Sequence, residues 1–289
     1  MNAQHTMGDP TGSGKPNASE QPRQSGAQSA ADSSAPVIYY RDEVNDEFSG
    51  VTRKPFPIDG SYRYLHKNPL WKLAEFLVYR VIMTPFAYLY CHCKFHTRIV
   101  NRRLLRQAGK QGCFIYGNHT LMAGDAFHPS LVAFPRKTKV VVNSDNLAVP
   151  LTRKWIELSG AIPVPTAYSA SRSFLNALEK SVLLGHAIQI YPEAHIWPYY
   201  TGIRPFGSTS FRYPVRFGAP VYCTTTTYAA PKHGKPPRVT VYVDGPFYPD
   251  PGLSDRENEH RLRDTVYRTM CERAKNSSYQ PIRYVRQED

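Results

Sequence analysis

The amino-acid sequence predicts an α/β fold in which a mixed β-sheet is flanked by helices. From residue 112 onward, short apolar stretches alternate with longer segments of helical periodicity, which is the pattern of a sheet covered by helices. Toward the end of the chain, Val239, Val241 and Val243 alternate with polar residues, as in a strand with one buried face. The 289 residues are sufficient for a large domain with a sizeable core.

The N-terminal region divides where its composition changes. Residues 1–35 are rich in Gly, Ser, Ala, Gln and Pro, and such a segment cannot bury enough apolar surface to offset the entropy of ordering. We therefore expect a disordered tail, which lacks the apolar run of a signal peptide. Residues 36–66 are polar, aromatic and proline-containing, and they predict an extended lead-in. The α/β domain is expected to cover residues 97–289.

Residues 67–96 predict membrane-associated helices. Apolar residues recur there at helical spacing, at Leu70, Leu73, Leu77 and Val81. Pro85 is expected to kink or end the first helix. The longest uncharged piece, residues 81–93, is shorter than the roughly 20 apolar residues of a spanning helix. Together with frequent aromatic residues, this favours an N-terminal interfacial helical hairpin, although a buried core helix fits the same periodicity equally well.

Periodicity and capping residues divide the rest of the chain into strands and helices. The predicted strands are residues 114–116, 139–142, 161–164, 187–191, 219–227 and 239–243. Two helices are expected over residues 147–158 and 171–184, because each apolar pattern stops at a glycine, Gly160 or Gly185. Ser254 and Glu257 form a capping box that predicts the start of the last helix.

The net charge of +13 indicates acidic partners. An anionic membrane surface and phosphorylated small molecules or carriers both fit this charge. Nucleic acid is not expected, because the basic residues are scattered and no recognisable nucleic-acid motif is present. The five cysteines form no disulfide pattern, and the spacing of Cys91, Cys93 and their neighbouring histidines matches no zinc template, so no metal site is expected.

A histidine and an aspartate follow the first predicted strand of the domain. The strand runs into Gly117, His119 comes two residues later, and Asp125 follows six residues after the histidine. This layout suits a general base at the end of a strand, with a carboxylate that fixes its tautomer. Because no serine or cysteine stands in an obvious nucleophile position beside it, we expect a substrate hydroxyl to be the nucleophile.

A second group of polar residues follows the strand that ends at Tyr191. Glu193 lies directly after this strand, and ligands of α/β sheets gather at the carboxyl ends of strands. Arg204 and Arg212 follow among small polar residues and are candidates for clamping a phosphate. A surface-turn carboxylate and solvated loop arginines are the alternative interpretation of these residues.

The order and spacing of four short blocks resemble those of the glycerolipid acyltransferase family, of the 1-acylglycerol-3-phosphate acyltransferase type. The family's Asn-His pair with a following Asp corresponds to Asn118, His119 and Asp125. The other three blocks correspond to residues 160–162 (Gly-Ala-Ile), 191–195 (Tyr-Pro-Glu-Ala-His) and 220–221 (Pro-Val). The resemblance covers about residues 114–221, and the family's membrane-binding helices would match residues 67–95.

The resemblance implies a reaction and a role for each site residue. His119 would take the proton from an acceptor hydroxyl that attacks an acyl thioester, and Asp125 would hold the imidazole in position. Backbone N–H groups near Asn118 or Gly124 would stabilise the oxyanion. Glu193, with Arg204 or Arg212, would position the acceptor head group.

The resemblance also implies the reaction partners. The donor would be acyl-CoA or acyl carrier protein, used as a co-substrate, with no other cofactor and no metal. The acceptor would be a lysophospholipid, foremost 1-acylglycerol-3-phosphate, in phospholipid synthesis. The protein would lie on the cytoplasmic side of a membrane, peripheral or monotopic, in contact with anionic lipids. Acylation of another lipid or glycolipid, and a catalytically silent membrane-surface protein, remain the alternatives.

Two departures from the family pattern affect the expected acceptor. The family has four residues between the histidine and the aspartate, whereas this chain has five, residues 120–124. The family also has an arginine just after the second block and another in the third, where this chain has residues such as Pro165, Thr166 and Ile196. Either Arg172, Arg204 or Arg212 holds the phosphate instead, or the acceptor lacks phosphate.

Overall fold

A seven-stranded mixed sheet forms the centre of the fold. In a computed structural model of the protein, the described residues are 35–50, 54–231 and 236–287. The strands are β1 Val37–Tyr40, β2 Arg98–Val100, β3 Cys113–Gly117, β4 Thr138–Val142, β5 Ala161–Pro163, β6 Ala187–Ile190, β7 Val221–Ala229, β8 Arg238–Phe247 and β9 Arg283–Arg286. The predicted tail, apart from Ala35, lies outside the described residues.

The strand order of the large sheet is β2-β8-β7-β3-β6-β4-β5. The five strands from β7 to β5 are parallel, β8 is antiparallel to β7, and β2 is parallel to β8. The carboxyl ends of β3, β6 and β7 are therefore neighbours at one edge of the sheet. β1 and β9 form a separate two-stranded parallel sheet. The predicted α/β fold with a mixed sheet flanked by helices is confirmed.

Helices cover both faces of the large sheet. They are α1 Pro69–Phe76, α2 Thr84–Phe95, α3 Met122–Val132, α4 Pro150–Leu158, α5 Ser171–Leu183, α6 Arg212–Phe217 and α7 Asp255–Ala274. Successive side chains of β3 point to opposite faces, so Phe114 and Tyr116 pack with α5 and α7, while Cys113 and Ile115 pack with α2 and α3. The predicted capping box begins α7, with both of its reciprocal hydrogen bonds formed.

The expected helical hairpin is a single helical run instead. A π-helical segment, Leu77–Met83, joins α1 directly to α2, and the backbone stays right-handed helical through Thr84. The Thr84 N–H donates to the carbonyl of Tyr79, five residues earlier, and the Thr84 hydroxyl donates to the same oxygen at 2.7 Å. This widened turn accommodates Pro85, which lacks an N–H, so the proline does not end the helix.

One side of this long helix is packed and another is exposed. Ala87 and Cys91 are buried against Leu131 of α3. The exposed residues include many large apolar ones: Leu70, Leu73, Phe76, Leu77, Val81, Ile82, Phe86, Tyr88 and Leu89. Among the described residues, no helix has both the length and the apolar character needed to cross a membrane. The periodicity thus produces a packed side and an exposed apolar side on the same helix.

A carboxylate attaches α1 to the sheet. Glu75 Oε1 lies 2.7 Å from the ammonium groups of both Lys137 and Lys139, next to and within β4. The three side chains are only 17–20% exposed, so water screens the charges weakly. Glu75 therefore both anchors the helix and separates two lysines that would otherwise repel each other.

We expect the substitution Glu75→Gln to lower the free energy of unfolding by about 1–3 kcal/mol, because two half-buried lysines lose their counter-charge. Urea denaturation followed by circular dichroism measures this change. Glu179→Gln is the matched control, since Glu179 is exposed on α5 and should change stability by less than about 0.5 kcal/mol. Equal stabilities of the two variants would contradict the anchoring role.

Candidate active site

The candidate site lies where β3 and β6 end side by side. Gly117 is the last residue of β3. A Cβ atom at this position would lie 2.7 Å from Gln189 Nε2 and 2.9 Å from Thr224 Oγ1, so any side chain would clash and a glycine is needed. The Asn118 side chain then pairs twice with the backbone of Thr226 on β7, donating to its carbonyl at 3.1 Å and accepting from its N–H at 2.8 Å. These contacts fix the position from which His119 projects.

His119 and Asp125 are hydrogen bonded. His119 Nδ1 lies 2.8 Å from Asp125 Oδ2, and the same oxygen accepts the Leu121 N–H at 2.9 Å. The six-residue spacing is accommodated because His119 precedes α3 and Asp125 lies in the first helical turn, facing back toward the incoming chain. A Cβ on Gly124 would lie 2.1 Å from Leu121 Cδ2, so the side chain of Leu121 takes up the space beside this glycine.

The burial of the two side chains differs in a way that suits general-base chemistry. The Asp125 side chain is 2% exposed, whereas the His119 side chain is 24% exposed. A hydrogen bond from Nδ1–H to the buried carboxylate leaves Nε2 as the ring nitrogen with a free lone pair. The carboxylate also stabilises the imidazolium that forms when Nε2 accepts a proton.

Glu193 lies beside His119 but is fully enclosed. Its Oε2 accepts the backbone N–H of His119 at 3.2 Å, and its Oε1 accepts the backbone N–H of Arg204 at 3.2 Å. The Arg204 guanidinium lies 3.4 Å from Oε2, and both side chains are 0% exposed. Burial raises the pKa of the Glu193 carboxyl, and the Arg204 charge together with the two N–H groups opposes this shift.

The Arg204 side chain is committed to the protein itself. Its Nη2 donates to the carbonyls of Glu193, at 3.3 Å, and of His195, and its Nη1 donates to the carbonyl of Glu43 at 3.4 Å. The guanidinium carbon lies 5.0 Å from the Trp197 ring centroid, a cation–π distance. Because both side chains are enclosed, the structure gives no support to the expected contact of Arg204 and Glu193 with the acceptor head group, which stays a prediction. They form a buried ion pair that supports the loop after β6.

Arg172 and Arg212 have a different environment. Both side chains are exposed, Arg172 on α5 and Arg212 at the first position of α6, where its guanidinium lies 5.3 Å from the Tyr213 ring centroid. Within the described part of the chain, neither arginine forms an ion pair. They stay available to an anionic ligand, whereas Arg204 does not.

Tyr191 contacts both members of the His119–Asp125 pair, although sequence reasoning did not select it. Its ring stacks on the His119 ring, with centroids 4.6 Å apart and an angle of 19° between the planes. Its hydroxyl donates to the Asp125 backbone carbonyl at 2.6 Å. The available signal was its position at the carboxyl end of a buried strand, two residues before Glu193.

An aromatic cluster packs against the loop that carries Glu193. Trp197 lies at its centre and contacts the rings of Tyr40, Phe48, Tyr200 and Tyr284. The Trp197 Nε1–H donates to the Asp46 carbonyl at 2.8 Å, and Glu47 pairs with His195 at 3.1 Å. The lead-in and the β1–β9 sheet are therefore structural parts of the site, a role that the sequence did not reveal because these segments lie far from the loop along the chain.

The fold is shared with a solved acyltransferase structure. The 1-acyl-sn-glycerophosphate (LPA) acyltransferase PlsC from Thermotoga maritima superimposes with a TM-score of 0.52, at 16% sequence identity, over 74% of this chain and 85% of that chain. No protein-family model and no curated protein matches the sequence. The chain thus has the acyltransferase fold of PlsC, the fold that the four sequence blocks led us to expect.

We expect Arg204→Met to lower the free energy of unfolding by about 3–5 kcal/mol, because it leaves the Glu193 carboxylate buried without its partner. Chemical denaturation measures this loss. Arg172→Met and Arg212→Met are controls that should stay within about 0.5 kcal/mol of the wild type. An Arg204→Met protein of normal stability would contradict the assignment of Arg204 to the interior.

A pH dependence of stability follows from the buried imidazole of His128. Burial lowers the pKa of His128 from 6.5 to about 4, so the unfolded chain binds this proton more readily than the folded protein does. The free energy of unfolding should therefore fall as the pH drops from 6.5 to 4, by on the order of 3 kcal/mol from this group. Burial also lowers the pKa of His186 to about 4, which acts in the same direction.

Denaturation curves at several pH values between 7 and 4 test this dependence. His128→Leu should remove part of the loss, and His260→Ala, at an exposed site on α7, should leave it unchanged. A wild-type stability that stays constant over this range would contradict the prediction.

Proposed function

We propose that the protein is an O-acyltransferase of lipid synthesis. The observation that carries this proposal is the His119–Asp125 hydrogen bond of 2.8 Å at the end of β3, in the fold of a known acyltransferase. The donor is acyl-CoA or acyl carrier protein. The acceptor is the hydroxyl of a lysophospholipid, foremost 1-acylglycerol-3-phosphate, in phospholipid synthesis.

The reaction uses His119 as general base and then as general acid. Nε2 takes the proton of the acceptor hydroxyl while its oxygen attacks the thioester carbonyl. The tetrahedral intermediate collapses with loss of the thiolate, which receives the proton from the imidazolium. A new ester and a free thiol result, so atoms and charge balance. Asp125 stabilises the imidazolium throughout, as the buried carboxylate does in hydrolytic triads.

The oxyanion of the intermediate requires hydrogen-bond donors. The Asn118 side chain is hydrogen bonded to Thr226, and the proposed donor is a backbone N–H near Asn118, as the sequence resemblance implies. Gly124 lies in the first turn of α3, where backbone N–H groups and the helix dipole favour negative charge. Both groups remain proposed oxyanion donors, and Glu193 acts by holding the backbone of His119 in place.

The acceptor phosphate is assigned to the exposed arginines. With Arg204 paired internally, Arg172 and Arg212 are the remaining candidates from the sequence. Both can form bidentate hydrogen bonds with a phosphate. An acceptor that lacks phosphate, such as another lipid or a glycolipid, is the alternative outcome.

A membrane surface is the proposed location of the reaction, on its cytoplasmic side. The exposed apolar residues of the α1–α2 run support a peripheral or monotopic attachment. Between Glu75 and Asp125 the chain has no acidic residue, while it carries Arg98, Arg102 and Arg103, so this region favours anionic lipids. A catalytically silent membrane-surface protein would share these features and differ only in the assay below.

We expect His119→Ala to lower acyl transfer by at least about a thousandfold while leaving the fold intact, because the proton acceptor is lost. Purified protein is supplied with labelled acyl-CoA or acyl carrier protein and a panel of lysolipids, and products are separated chromatographically. His260→Ala, at an exposed histidine of α7, is the matched control and should retain full activity.

The outcomes separate the candidate functions. Product from 1-acylglycerol-3-phosphate that depends on His119 supports the proposal in full, and transfer only to another acceptor changes the substrate. A folded His119→Ala protein with full activity would contradict the catalytic assignment. Binding to anionic vesicles without any transfer would favour the silent membrane-surface protein.

A further inference from the structure

A proline in α3 removes the helical hydrogen bond that Asp125 would normally receive. In an α-helix, the carbonyl of each residue accepts the N–H of the residue four positions later. The residue four positions after Asp125 is Pro129, which lies inside α3 and has no N–H. The Asp125 carbonyl therefore cannot be satisfied in the usual way, and a buried carbonyl without a donor is costly.

Tyr191 supplies the missing donor. Its hydroxyl donates to the Asp125 carbonyl at 2.6 Å, across 66 residues of sequence. Burial raises the pKa of the Tyr191 phenol, so the hydroxyl keeps its proton at neutral pH and can donate. Pro129 leaves the Asp125 carbonyl without its helical donor, and the Tyr191 hydroxyl replaces that donor.

The same side chain also contacts the base. The Tyr191 ring lies against the His119 ring, 4.6 Å between centroids and within 19° of parallel. One residue thus constrains the imidazole through its face and the aspartate through its backbone. The hydrogen bond between His119 and Asp125 depends on the relative position of these two groups, which Tyr191 sets.

We propose that Tyr191 is a positioning residue for the His119–Asp125 pair, and that it acts jointly with Pro129. Pro129 frees the Asp125 carbonyl, and the Tyr191 hydroxyl captures it and holds the first turn of α3 against His119. The inference deepens the proposed function, since it concerns the same pair of residues, but its physical part is independent of any reaction.

A double-mutant cycle tests this coupling. Tyr191→Phe removes the hydroxyl and keeps the stacked ring, so we expect kcat to fall about tenfold with KM nearly unchanged, as one buried hydrogen bond is lost. Pro129→Ala restores a helical N–H to the Asp125 carbonyl. In that background, Tyr191→Phe should change kcat by no more than about twofold, because the carbonyl no longer needs the hydroxyl.

A second readout requires no substrate. The imidazole Nδ1–H proton of His119, assigned by its loss in His119→Gln, gives a downfield nuclear magnetic resonance signal when it is bonded to a carboxylate. We expect this signal to shift upfield in Tyr191→Phe and to return toward the wild-type position in the Pro129→Ala/Tyr191→Phe double variant. If no acyl transfer is found, this pattern still supports the positioning role, and only the proposed function fails.

Tyr64→Phe is the matched control, because the Tyr64 hydroxyl also donates to a backbone carbonyl, that of Pro163 at 3.0 Å. It should leave kcat and the His119 signal unchanged. Strictly additive effects of Tyr191→Phe and Pro129→Ala on the signal would overturn the proposal. So would a Tyr191→Phe protein that is less stable but keeps an unshifted His119 signal, because the hydroxyl would then be merely structural.

Discussion

The buried ion pair between Glu193 and Arg204 is the constraint on which the site depends. Removing two charges from water costs several kcal/mol for each ion, and their attraction offsets this cost only when the remaining polar atoms are also satisfied. The carboxylate receives two backbone N–H groups, one of them from His119. The guanidinium donates to carbonyls of the lead-in and of its own loop and lies against the face of Trp197, while its Nε has no hydrogen-bond partner among the described residues. This ion pair thus links His119, the loop after β6 and the N-terminal lead-in.

His119 and Asp125, in contrast, are arranged by short-range geometry. His119 leaves a crowded strand end, and Asp125 turns back from the first turn of the following helix, where one carboxylate oxygen serves both the imidazole and a backbone N–H. An acidic side chain in the first turn is also favoured by the helix dipole. The carboxylate therefore stabilises the helix start and orients the His119 imidazole with the same oxygen.

This difference in range explains what the sequence could predict. The six predicted strands, the α7 capping box and the His119–Asp125 pair follow from local patterns, and all of them are present, whereas β1, β2 and β9 were not predicted. The burial of Arg204 could not be predicted, because a charged residue in a loop of small residues usually remains solvated, and its carbonyl partner in Glu43 lies 161 residues away. Pro85 suggested a break between two helices, yet a widened turn keeps the helix continuous. This continuity depends on the hydrogen bonds of Thr84 to Tyr79, which the composition of the segment does not reveal.

The pairing of β1 with β9 affects the order in which the protein assembles. Arg41 and Gln287, which follow the two strands, are hydrogen bonded across 246 residues of sequence. Contacts between residues so far apart in sequence tend to form late in folding, because closing a long loop costs entropy before the contact energy is gained. During synthesis on a ribosome, β3 and its neighbours β6 and β7 are complete before β9 has been made. The strand end from which His119 projects is therefore complete before Tyr284, the last member of the aromatic cluster around Trp197, has been made.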